Sequence, residues 1–108
     1  MKPACLWCLA VLAVAAPSHA QQATNLRKTF DNCVYNNVFD QIEAGAATTG
    51  PAEAAERGFF ACQTEERAMY AYLALSHLPP EQIEATIVQA RRQVKAAVRQ
   101  MFAAPKRK

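Results

Sequence analysis

Residues 26–62 read LRKTFDNCVYNNVFDQIEAGAATTGPAEAAERGFFAC. Leu26, Phe30, Cys33, Val34 and Val38 recur there at spacings of three and four, the interval that keeps side chains on one side of an α-helix. The predicted helix runs over 24–44, with Gly45 as its C-terminal cap. Tyr35, Phe39 and Ile42 widen its apolar arc, so it is expected to touch more than one neighbour. The stretch AATTGP then breaks the pattern. Pro51 opens a second helix, where its missing N–H costs nothing and Glu53 suits the positive end of the dipole. The stripe of that helix is Ala55, Phe59, Cys62, Met69 and Leu73.

The two cysteines test this hairpin independently. Cys33 and Cys62 each lie 14.5 residues from the midpoint between Ala47 and Thr48. In an antiparallel pair of helices, residues at equal distances from the turn come level. Axes about 8–10 Å apart, with Cα atoms on cylinders of about 2.3 Å radius, bring facing Cα atoms to roughly 4–5.5 Å, which suits a disulfide. A Cys33–Cys62 bond is therefore expected. The same register sets Glu66 opposite Thr29, with Arg27 and Lys28 near, and sets Asn37 opposite Gly58, where a missing side chain would admit the first helix closely.

Downstream, Leu78-Pro79-Pro80 ends the second helix near Ser76 or His77. Pro80 then starts a third, with Glu81 and Glu84 early and Ile83, Ile87, Ala90, Val94, Val98 and Met101 along one face. The chain reads as all-α: a small three-helix domain over 21–104, built from an antiparallel helical hairpin stapled by one disulfide plus a third amphipathic helix. A basic tail follows at 105–108.

Residues 1–20, MKPACLWCLAVLAVAAPSHA, read as a cleaved signal peptide. The apolar run from Ala4 to Ala16 is 13 residues, against roughly 20 for a membrane-spanning helix, and Pro17 interrupts it where an anchor would continue. Ser18 and Ala20 suit a peptidase site that leaves Gln21 as the new terminus. Cleavage removes Cys5 and Cys8 and leaves an even pair, as an oxidising compartment favours. The expected location is outside the cytoplasm, periplasmic or secreted, with no span through the membrane after cleavage.

Chemical motifs are sparse. His77, the one histidine after residue 20, has no metal-ligand spacing around it, so no His/Cys metal site and no cofactor are expected. Glu66 stands within the apolar stripe and must be paired or reach water. No nucleophile motif, phosphate loop or dinucleotide fingerprint occurs, and no catalytic residue is assigned. Charge is the uneven feature. Residues 21–78 carry four basic and seven acidic side chains, whereas 79–108 carry seven basic and two acidic. Arg91, Arg92, Lys95 and Arg99 cluster on the polar face of the third helix. They are read either as a solvated face favoured by the helix dipole or as a strip for an anionic lipid surface or an acidic envelope protein. Nucleic acid is a poor partner for an exported chain whose strip lacks interleaved aromatics. No residue pattern assigns an activity, so the function is left open, with a non-enzymatic binding module of the cell envelope as the leading expectation and a periplasmic stress chaperone, an enzyme inhibitor, or an enzyme without a local motif as the alternatives.

Overall fold

The computed structural model describes residues 19–103. Four helices are present among them: α1 (His19–Glu43), α2 (Pro51–Ala61), α3 (Gln63–Leu75) and α4 (Pro80–Ala103). The fold is all-helical, and the Cys33–Cys62 disulfide is formed, with an S–S distance of 2.03 Å and Cα atoms 6.1 Å apart. The expected signal segment through Ser18 and the basic tail lie outside the described residues.

The helix count corrects the sequence expectation of three. What reads as one second helix is two, because helical geometry lapses at Cys62, whose φ is −109° and ψ 30°. Its N–H reaches the carbonyls of both Gly58 (3.0 Å) and Phe59 (3.2 Å), which tightens the last turn of α2 toward 3₁₀ geometry. Its own carbonyl takes the N–H of Glu66 at 3.1 Å and starts α3. The lapse falls on the residue bonded to α1.

The termini follow from local chemistry. At the end of α1 the Gly45 N–H meets the Ile42 carbonyl (3.1 Å) and the Ala46 N–H the Gln41 carbonyl (2.8 Å). This is a Schellman arrangement, and it needs the positive φ of 71° that Gly45 adopts. After α3 the same left-handed step is taken by His77, at φ 64°, whose N–H bonds the Ala74 carbonyl at 3.1 Å. The side chain of His77 is exposed.

The core matches the stripes read from the sequence. Phe30, Val34 and Val38 of α1 and Ala55, Phe59, Cys62 and Met69 of the second segment are buried. So are Ile83, Ile87, Ala90, Val94 and Val98 of α4, while Leu26, Cys33, Leu73 and Met101 pack against them partly buried. Gly58 marks the closest approach. A Cβ there would lie 2.8 Å from Val34 Cγ1 and 3.5 Å from Val38 Cγ2. The close approach is as expected, but Val34 and Val38 make it rather than Asn37. Asn37 instead accepts a bond from Gln41 Nε2 (2.7 Å), which also donates to the Ala54 carbonyl (3.0 Å). No described helix is long and apolar enough to cross a membrane.

Candidate binding face

The polar side of α4 meets the hairpin through two cations. Arg91 and Lys95 stand one turn apart, so both point to the same side of the helix. Arg91 donates from Nε (3.1 Å) and Nη2 (2.9 Å) to Glu66 Oε1 and from Nη2 to Oε2 (2.9 Å). A carboxylate whose side chain is only 19% exposed needs such a partner, and the planar guanidinium supplies several donors at once. The same guanidinium lies over the Phe59 ring, 5.3 Å from its centre, and Phe59 stacks on Phe30 at 6.0 Å. Arg91 is thereby bound to the core through an aromatic face as well as through Glu66. Lys95 pairs with Glu56 at 2.8 Å, both side chains well exposed.

The partner of Glu66 differs from the register expectation. The Thr29 hydroxyl donates to the Asn25 carbonyl, and Arg27 goes to Asp31 and Gln93. The break at Cys62 interrupts the helix along which that register was extended, and α4 supplies the cation.

Beside this ion pair the surface is concave. Glu66, Tyr70, Glu84, Ile87, Val88 and Arg91 line a cleft of about 280 Å³ between α3 and α4. Gln63, Arg67 and again Glu66 and Tyr70 line a neighbouring hollow of about 160 Å³. Tyr70 and Val88, which both line this cleft, are exposed at 41% and 45%. Val88, Arg92, Lys95 and Arg99 follow at spacings of four, three and four, which places them along one stripe of α4. Arg92 and Arg99 are exposed and take no ion pair among the described residues. Of the four cations singled out in the sequence, then, Arg91 and Lys95 are neutralised within the fold and Arg92 and Arg99 face solvent.

A third, largely apolar hollow of about 110 Å³ lies where α1, α3 and α4 converge, lined by Leu26, Met69, Leu73 and Ile87 among others. On α1, burial raises the Tyr35 phenol above its ordinary pKa, Asp31 adding to the effect and Arg27 opposing it. Sequence reasoning missed the contributions of Tyr70, Glu56 and Phe59 to this face. Among the hairpin residues of this face, only Glu66 carried a signal, a carboxylate inside an apolar stripe.

Comparison with models of known families, with curated proteins and with solved structures returns no match to this chain.

Proposed function

We propose that this chain is an exported, non-enzymatic binding module that meets an anionic lipid surface of the cell envelope through the α3–α4 face. One observation carries the reading: Arg92 and Arg99, exposed and without an acidic partner among the described residues, share a stripe of α4 with the exposed Val88, which lines a cleft together with Tyr70. Cations in that setting attract lipid phosphates, while Val88 one turn before Arg92, with Tyr70 across the cleft from it, gives the surface an apolar element that can enter the headgroup region. Lys106, Arg107 and Lys108 extend the charge beyond the end of α4. The leader-like residues 1–20 and the oxidised cysteine pair support export.

The test is co-sedimentation with phosphatidylglycerol and phosphatidylcholine vesicles at low and physiological salt. It uses protein recovered from the export compartment, whose intact mass reports whether it begins at Gln21. Pelleting is expected with the anionic vesicles only, weakening sharply with salt. A variant carrying Arg92→Gln and Arg99→Gln should lose it while keeping its thermal midpoint, since neither side chain holds the fold. Equal pelleting of the two proteins, or none with either lipid, would overturn the reading.

A second reading is a stress chaperone, favoured by the exposed side chains of Phe39, Ile42, Phe60 and Leu75, the last two at 75% and 78%. Suppression of the aggregation of an unfolded client by a protein that ignores vesicles would select it.

A further inference from the structure

We propose that, once its disulfide is reduced, the protein binds a soft divalent metal ion of the zinc type through Cys33, Cys62 and Glu65. These residues come from α1, from the break between α2 and α3, and from the first turn of α3. A carboxylate oxygen of Glu65 and the two sulfurs all lie within 4.8 Å of one another. Tetrahedral zinc, with bonds of about 2.3 Å to sulfur and about 2.0 Å to oxygen, holds its ligand atoms roughly 3.5–3.8 Å apart. The sulfurs must therefore separate, but their Cα atoms, 6.1 Å apart, need not move for side-chain rotation to achieve it.

The environment favours a cation. Reduction leaves one thiol buried at Cys62 and one half-buried at Cys33, both beside a half-buried carboxylate. Deprotonated, the three groups repel one another; a divalent ion compensates two of their three charges and takes thiolates in preference to the oxygen-rich shells that magnesium and calcium require. The chemistry balances in two steps. Two molecules of a small thiol supply two electrons and two protons, the S–S bond breaks to two cysteine thiols, and the small thiols leave joined as their own disulfide. The ion then displaces both thiol protons, forms two metal–sulfur bonds and accepts Glu65 as third ligand. The sequence excluded a site built on histidine and cysteine; the third ligand here is a carboxylate, three residues from Cys62 in the sequence, and the fold adds the Cys33 sulfur of α1. The inference does not depend on the vesicle reading, since it concerns the opposite redox state and other residues.

The experiment uses the full chain with Cys5→Ser and Cys8→Ser, so that Cys33 and Cys62 are its only thiols. A water-soluble phosphine reduces the disulfide, itself becoming the phosphine oxide with oxygen from water. Cadmium is then titrated and displaced by zinc. The expected result is one ion per chain, with sulfur-to-cadmium charge-transfer absorption in the reduced protein and none in the oxidised one. A Glu65→Gln variant should bind at least about tenfold more weakly, since loss of an outer-shell partner alone commonly costs 10–100-fold. If reduction melts the helices, recovery of far-UV ellipticity on adding one equivalent of metal supports the site, and failure to recover overturns it. Equal affinity of Glu65→Gln and wild type, or cadmium uptake by the oxidised chain, would also overturn it.

Discussion

Gly58 is the residue at which helix propensity and packing disagree. Inside α2, alanine would be favoured over glycine by up to about 1 kcal/mol. Yet a Cβ at Gly58 would sit 2.8 Å from Val34 Cγ1, on a fully buried, β-branched side chain with little freedom to turn. Overpacking of that kind costs about 1–3 kcal/mol, so, after the helix-propensity gain of up to about 1 kcal/mol, Gly58→Ala should leave the domain about 0–2 kcal/mol less stable and not more stable. Urea unfolding measures this. A stabilised variant would show that α1 stands farther from α2 than described. Arg91 is the other residue whose type matters, for it serves Glu66 and Phe59 together. A lysine in its place would retain the charge but lose the fork and the flat face.

At the scale of the element, the disulfide joins α1 to the point where α2 gives way to α3. Closing a loop of 29 residues removes on the order of 3.6 kcal/mol of denatured-state entropy. A domain of this size has little stability in reserve. Replacing both cysteines by serine should therefore lower the unfolding free energy by about 3–4 kcal/mol while leaving the spectrum helical in the folded baseline. An unmoved transition would show that the cystine is incidental to the fold. The elements themselves were largely legible. Spacings of three and four marked the core faces of α1 and α4, Gly45 marked the end of α1, and Pro51 and Pro80 marked two starts, because each of these signals is local. The break at Cys62 was not legible. Gln63, Thr64 and Glu65 are ordinary helix residues, and the Glu66 N–H still bonds the Cys62 carbonyl, so one residue departs from helical geometry with no breaker nearby.

Over the whole molecule, charge divides the chain into an acidic hairpin and a basic last helix, and the fold brings the two together. Glu66 and Glu56 of the hairpin meet Arg91 and Lys95 of α4, so part of the imbalance seen in the sequence is internal complementarity. This is why the candidate face was only half legible. The four cations could be listed from their spacing, but which of them the hairpin would neutralise depends on how α4 docks, a contact between residues 25 or more apart.

Burial is also uneven along the second segment. Four residues of α2 are buried, but Met69 alone in α3, and the covalent tie to α1 lies at their junction. The staple thus fixes the pivot and leaves the arm beyond it with few anchors. Read as a map of amide hydrogen exchange, this gives a protein with two clocks. Amides at Val34, Val38, Phe59, Val94 and Val98 should exchange only on global unfolding, whereas those of 70–76 exchange through local opening at a small fraction of that free energy. Uniform protection across both groups would mean that α3 is held as firmly as the core. If the gradient is present, the wall of the cleft that carries Tyr70 can breathe while the remainder of the domain stays closed.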